Sequence, residues 1–452
     1  MKRKKKMEMD IINSNAAGID IGSRSHYVAV GQALEHVKEF GVYAEELTDI
    51  CVWLKSYDIT TVAMESTGDY WQNLYTELIK HNFEVVLVNG KFTKNAKGKK
   101  TDVKDCRWIQ KLHTLGLLSS SFLPDHTTEV LRTYCRQRSN WIDLASATSH
   151  KMQKYLKFLN FRLDVVVKDV CGLTGLKIIE DICKGNLDPF ELAKHRHYNC
   201  RKSEQEIAKA LHGNNRPDFL FGLKQEFDTY KFYQNKIIAC DKQIDRLIKE
   251  ELKKDPSKKK LKTTTKPYKR INKNAPNIKN LNQIAFKYFN GVDLFAIEGL
   301  SHATVLSIMS EIGPEGFKKF NSSKQFASWL RLAPNNKISG ERILSNRIPK
   351  GSNRLKIALR QAANAIGNLK DTHLSDFFKR VAYRKGRQSA VSATARKLAV
   401  IIWNMITKKV QYHPPTEYLF LDQKRKMRLV SRIKKSIVKF DLNLEELGII
   451  TN

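Results

Sequence analysis

Long hydrophobic runs are missing from this 452-residue chain. No apolar stretch approaches the roughly 18 residues that cross a bilayer, which excludes a membrane-spanning protein. Paired cysteines are missing too: the seven, at 51, 106, 135, 171, 183, 200 and 240, form no C-x-x-C motif. An odd set without a framework excludes a disulfide scaffold, gives no case for structural zinc and predicts reduced thiols in a cytoplasm. The opening "MKRKKKMEMDII" lacks the apolar segment of a secretory signal. Acidic residues are scarce against basic ones. With 46 Asp and Glu against 80 Lys and Arg, the net charge is +34. That excess goes beyond the needs of solubility and predicts a polyanion partner, nucleic acid before membrane.

What is present divides along the chain. Residues 1–125 read as α/β. "AAGIDIG", "HYVAVG" and "VKEFGVY" predict a three-strand meander. Helix "AEELTDICVWLKSY", strand "TTVAMES", helix "DYWQNLYTELIKH" and strand "FEVVLVN" then alternate, giving a mixed sheet flanked by helices. Residues 126–252 turn helical. There Tyr230, Tyr233, Ile237, Cys240, Ile244 and Leu247 recur at three- and four-residue steps, a coiled-coil seam that suits packing within one chain or between two. Residues 253–280, with one acid, three prolines and few large apolar side chains, predict a disordered basic linker. A second, helical unit follows over 281–413, and the 414–452 tail holds the basic amphipathic candidate helix "KRKMRLVSRIKKSIVKF".

Four acids occupy informative places. Asp20 interrupts an apolar strand, and Glu65 ends a strand on its C-terminal side, where open α/β sheets gather their sites. In "KTDVKDCRWIQKLHTLGLL", a helix from about Lys100 puts Trp108, Ile109, Leu112 and Leu115 on one face, with Asp105 inside that stripe and Asp102 at its edge. Unpaired carboxylates are costly away from water. Four of them converging raise one another's pKa, and two Mg²⁺ ions resolve the repulsion because that ion takes oxygen ligands and substrate phosphates. Such a metal pair activates one oxygen and stabilises another at a phosphodiester.

The second unit offers two further features. "LFAIEGLSHATVLSIMSEIG" reads as a helix-hairpin-helix-like element turning at Gly299, which suits a phosphate and equally suits a plain helical hairpin. In "FNSSKQFASWLRLAPNNKISGERILSNRIPKGSNRLKIALRQAA" a polar loop presents Ser339-Gly340 among Arg342, Arg347, Lys350 and Arg354. Ser-Gly is ordinarily a turn. A serine among cations is also a candidate phosphoryl-transfer nucleophile, the cations stabilising the charged phosphate.

The segments "GIDIGSRSHYVAV", "MESTGDYW" and "KTDVKDCRWIQKLHTLGLL" resemble the signatures of the DEDD transposases with a RuvC-like domain. This insertion-sequence family is also known as bridge-RNA-guided recombinases. The phenylalanine-rich helix, the proline, the Ser-Gly and the basic "PKGSNRL" resemble the same family's C-terminal transposase domain. The resemblance covers about residues 15–160 and 290–410. It implies a ribonuclease-H-like fold, the family's four acids on Asp20, Glu65, Asp102 and Asp105, Mg²⁺ there (Mn²⁺ as a substitute), and the catalytic serine on Ser339. It further implies donor and target DNA as substrates and guidance by a structured RNA from the element. Also implied are a homo-oligomer, dimer or tetramer, in which one chain's acids meet another's serine, and a prokaryotic, nucleoid-associated location. The sequence departs from the family at Asn346, Arg347 and Arg331, where glycines are common, and its Lys-rich linker is longer than usual. The competing readings are a RuvC-like metal nuclease acting on branched DNA with water, leaving Ser339 idle, and a catalytically dead nucleic-acid-binding protein, which the four intact acids argue against.

Overall fold

The computed structural model describes residues 9–93, 101–263, 273–351, 353–414 and 418–441. The chain divides into two units, 1–123 and 124–452.

In the first unit β1 (Ala16–Ile21), β2 (His26–Ala29) and β3 (Val37–Phe40) form the antiparallel meander. Helix α1 (Ala44–Ser56), β4 (Thr61–Glu65), α2 (Trp71–Lys80) and β5 (Glu84–Val88) then alternate. The five-stranded sheet has the order β3-β2-β1-β4-β5, with β1–β4 and β4–β5 parallel. It is the mixed sheet that the alternation of strand and helix patterns predicts. A short α3 (Gly90–Thr93) and then α4 (Asp102–Thr114) follow.

Period-two alternation sorts the strand side chains. Ile19, Ile21, Val28, Val62, Met64 and Leu87 form one core with Ile50, Leu54, Leu74 and Leu78 of α1 and α2. Each such side chain fully buried is worth about 1.5–3 kcal/mol. Ala16 and Gly18 alternate with Ile19 and so face the other way, where α4 lies against β1. A Cβ at Gly18 would overlap the backbone of Cys106 and Gln110, so the glycine lets the helix lie directly on the strand.

The second unit begins with α5 (His126–Phe158) and runs through α6 (Leu163–Val166), α7 (Leu173–Cys183), α8 (Pro189–Ala193) and α9 (Glu204–Lys209) to α10 (Pro217–Lys253). Helices α5 and α10 pack along each other within one chain. The buried seam of α10 is Leu223, Phe227, Tyr230, Ile237, Asp241, Ile244 and Ile248, so Asp241 and Ile248 stand where sequence spacing selected Cys240 and Leu247. The reason is an ion pair. The Arg138 Nε of α5 donates to Asp241 Oδ1 at 2.6 Å with both side chains buried. Arg138 also donates to the Asn274 carbonyl (3.0 Å), and the Asn277 amide donates to Asp241 (3.1 Å).

Those last contacts correct one expectation. Over its described part, the stretch read as a disordered linker is ordered: Pro256–Lys260 is a 3₁₀ turn, and Ala275 and Ile278 are buried. Composition misled because polar contacts, from the Asn274 carbonyl and the Asn277 amide to the buried Arg138–Asp241 pair, add to the burial of Ala275 and Ile278. Residues 264–272 lie outside the described residues.

Beyond it come α11 (Leu281–Tyr288), α12 (His302–Glu311), α13 (Gly313–Gly316) and α14 (Ser323–Trp329). After them stand β6 (Lys337–Ser339), β7 (Arg342–Ser345), α15 (Arg354–Ile366), α16 (His373–Lys385), α17 (Arg387–Lys408) and α18 (Tyr418–Phe440). The Arg136 guanidinium donates twice to Glu311 (3.0 and 2.8 Å), joining α5 to α12, so the helical middle and the C-terminal helices form one unit. The expected basic helix of the tail is α18, with Met427, Val438 and Phe440 exposed. No helix of the described residues is long and apolar enough to cross a membrane.

Candidate active site

The four acids belong to the first unit, and the sheet register orders them. Because β1 and β4 pair Ile19 with Met64, Asp20 and Glu65 are the next residues along two parallel neighbours, at their C-terminal ends. Residues in register on adjacent parallel strands share a face. Ile19 and Met64 point into the core, so Asp20 and Glu65 lie on the Gly18 side, where α4 packs. Helix α4 starts with Asp102, held by a Thr101 N-cap that accepts from the Lys104 amide, and Asp105 follows one turn on. The charge of Asp20 reaches Cys106, whose thiol is pushed up to about 12 by burial first and then by that carboxylate. The Glu39 carboxylate, to which its phenol hydrogen-bonds, raises the pKa of Tyr27, and Asp102 adds to the rise. Tyr27 is the cross-strand partner of Asp20.

Helix α4 is rotated from the sequence expectation. Its buried residues are Cys106, Ile109, Gln110 and His113, while Trp108, Leu112 and Leu115 are only half-buried. Asp105 is therefore half-buried at the edge of the contact and Asp102 is exposed. Polar pairing permits the rotation: the Gln110 amide donates to the Ala16 carbonyl (3.2 Å), and His113 Nε2 lies 2.9 Å from the Thr61 hydroxyl.

Residues not anticipated from sequence hold Glu65. The Thr93 hydroxyl donates to Oε2 at 2.6 Å and the Thr67 hydroxyl to Oε1 at 3.2 Å. A side chain at Gly90 would overlap the carboxylate. No spacing signal links residues 28 positions apart. Chemically, four carboxylates at one end of a sheet are a hard-oxygen donor set that fits Mg²⁺ in kind. Among the described residues no three His, Cys, Asp or Glu side chains converge into a metal group.

Ser339 belongs to the second unit and sits in a strand, which corrects the expected loop. Strands β6 and β7 pair antiparallel with Ser339 opposite Arg342. Between them Gly340 takes φ +56°, while Glu341 is not left-handed, a type II′ turn with glycine at its first central position. The hairpin escapes sequence reading because the apolar side chains described on it, Ile338 and Leu344, are 61% and 67% exposed. Ser339, Arg342, Arg347, Lys350 and Arg354 are all exposed on the hairpin and the chain that follows it. The Asn335 amide donates to the Arg347 carbonyl (3.0 Å), closing the hairpin base, and Arg331 donates to the Lys350 carbonyl (2.7 Å). Arg331 itself has φ +54°, a glycine-like backbone carried by an arginine.

Gly299 is placed differently from the expectation. The arm before it is a single 3₁₀ turn, Leu294–Ala296, not an α-helix. The glycine is needed for φ +80° and for close approach, since a Cβ would overlap Ile366.

Residues 17–161, spanning all four acids, match the transposase family of the IS110 DEDD type, and residues 293–379, spanning the serine hairpin, match the Transposase IS116/IS110/IS902 family. Each of these stretches is similar to a transposase domain. A probable family 20 transposase of Pseudomonas aeruginosa is 26% identical over 126 residues, which is 27% of this chain and 36% of that protein. The chain thus aligns with little more than a third of this curated relative. The acids and the serine fall within separately matched stretches.

Proposed function

We propose that this chain is the DNA transposase of an insertion sequence, cutting and rejoining strands through a Ser339–phosphate intermediate. The observation that carries the reading is the register that sets Asp20 and Glu65 side by side on neighbouring parallel strands of the mixed sheet, with Asp102 and Asp105 on the first turn of the helix laid against β1. An exposed serine at a hairpin tip beside Arg342 accompanies it. In the first step Ser339 Oγ attacks phosphorus and loses its proton to a base. The bond from phosphorus to the leaving deoxyribose oxygen breaks, and that oxygen is protonated. In the second, a hydroxyl of the strand to be joined attacks the phosphoserine and restores Ser339. Arg342, Arg347, Lys350 and Arg354 stabilise charge on the phosphate oxygens. Two Mg²⁺ ions, or Mn²⁺, would be held by the four acids and would supply oxygen activation and charge stabilisation. Donor and target DNA are the substrates, an element-encoded RNA the guide, a homo-oligomer the working form, and the prokaryotic cytoplasm with its nucleoid the setting.

The test is a covalent adduct. Wild-type protein trapped on a nicked target should carry DNA through denaturing electrophoresis, with the adducted peptide containing Ser339. Ser339→Ala should lose cleavage and keep DNA binding. Should Ser339→Ala cleave normally, the serine mechanism is wrong and a water-using nuclease remains. Mixing Asp105→Asn with Ser339→Ala protein restores activity if the site is shared between chains.

A further inference from the structure

The second unit contains a cleft of about 1190 Å³ between the serine hairpin and helices α15, α16 and α17. That exceeds the roughly 300–1,000 Å³ usual for a small-molecule site. Six cations line it: Arg347 from the hairpin leg, Arg360 from α15, Arg384 and Lys385 from the end of α16, and Arg396 and Lys397 from α17. No Asp or Glu is among its described lining residues. Burial and then Arg380 hold the Lys397 ammonium below its usual range, and Lys356 is lowered by burial and then by Arg360 and Arg331. A concavity walled by one sign of charge concentrates its field on an incoming counter-ion.

Charge alone would suit any phosphate, and the remaining lining narrows the choice. Phe377, Val381, Ile348 and Val400 give the cleft an apolar and aromatic surface, with Asn336, Asn346 and Gln388 supplying amides. Lys397 Nζ stands 4.6 Å from the Phe377 ring centroid, so cation and aromatic surface are presented together. The outside of a duplex offers phosphates and sugars and has no use for an apolar wall. An unpaired strand exposes bases, which stack on aromatic side chains while cations track the backbone.

We propose that this cleft binds a short unpaired segment of DNA, its phosphates on Arg360, Arg384, Lys385 and Arg396 and a base against Phe377. The choice of DNA rests on the proposed cleavage at Ser339, because Asn336, Asn346 and Arg347 of the cleft wall are in the legs of the hairpin that carries the serine. The cleft holds a strand opened beside the scissile phosphate. Arg384, Lys385, Arg396 and Lys397 lie past residue 379, where the family match ends, so the match does not account for them.

The experiment measures binding by the full chain to short single-stranded DNA, single-stranded RNA and blunt duplex DNA across a salt series, without recourse to activity. For Arg384→Ala/Arg396→Ala the single-stranded DNA affinity should fall at least ~10-fold at physiological salt. Its log–log salt slope should flatten by about 1.4, two contacts at about 0.7 each. Duplex affinity should hold within about twofold, since the duplex does not enter the cleft. Phe377→Leu should weaken the single strand by about 5- to 100-fold with the slope unchanged, as loss of a stack does. An unchanged slope in the double variant, or an equal loss on duplex, overturns the proposal; a loss confined to RNA overturns the assignment to DNA. If the double variant misfolds by circular dichroism, Lys385→Gln on the exposed helix end replaces it, with a slope change of about 0.7 expected and none fatal. Normal cleavage by Ser339→Ala alongside these binding losses would sink the serine reading and leave the cleft standing.

Discussion

The carboxylate edge and the serine hairpin are built in opposite ways. Asp20 and Glu65 stand on strands whose other face is a closed apolar core, and α4 is laid on β1 with only a glycine between backbones. Their placement is over-determined by packing. Ser339 stands on two short strands in solvent, set by a type II′ turn and closed by the Asn335–Arg347 contact. The lesson is a division of labour. In the proposed mechanism, the groups that act together on one phosphate sit on a packed scaffold. The proposed nucleophile sits beside a turn, where a chain as long as DNA can approach it.

The largest effect separating the two regions should come from the acids. Asp20→Asn, Glu65→Gln, Asp102→Asn and Asp105→Asn should each abolish strand transfer, by ~10³-fold or more, with the sheet signal in circular dichroism retained. Chelation should do the same to wild-type protein, and Mg²⁺ or Mn²⁺ should reverse it. Two of these variants recombining at wild-type rate would mean that the acids are not one site.

How much of this was legible in sequence follows the same division. The strands of the first unit alternate against a core, so β1 to β5 and both acids at strand ends could be read from pattern. The face of α4 could not, because Gln110 and His113 are buried through hydrogen bonds that hydrophobicity does not register. Asp241 escaped for the same reason, being an acid in a seam beside an arginine from a helix a hundred residues away. The hairpin escaped because Ile338 and Leu344 cover nothing. The cleft escaped because its cations come from three helices and a strand leg, and only the fold collects them.

A sharper comparison adds one methyl group to each region. Gly18→Ala puts a Cβ into the backbone of Cys106 and Gln110, which no rotamer can relieve, so α4 must lift. Overpacking of this kind costs about 1–3 kcal/mol. Lifting α4 moves Asp102 and Asp105 away from Asp20, and a shift near 1 Å lowers the rate by about 10²-fold. The expected result is a lower unfolding midpoint and a cleavage rate down by that factor, with single-stranded DNA binding by the second unit unchanged. A Gly18→Ala protein of full activity would show that α4 need not touch β1.

The smallest effect should come from the same methyl at Gly340. Here a Cβ meets no atom within 4 Å, so nothing is overpacked. The cost lies in the backbone, because φ +56° is left-handed and an alanine there loses about 1–2 kcal/mol relative to glycine. That cost falls on the turn, since Ile338 and Leu344 of the strands beside it are exposed. The equilibrium constant for the closed hairpin should drop by about 5- to 30-fold, about 1.4 kcal/mol being tenfold. Cleavage should follow it, while the unfolding midpoint and DNA affinity stay at wild-type values. Gly340→Asn should be milder still, because asparagine tolerates the left-handed region better than alanine. If Gly340→Ala instead lowers the unfolding midpoint as far as Gly18→Ala does, the hairpin is tied to a core. The contrast between a packed acid edge and a turn-set serine would then fail.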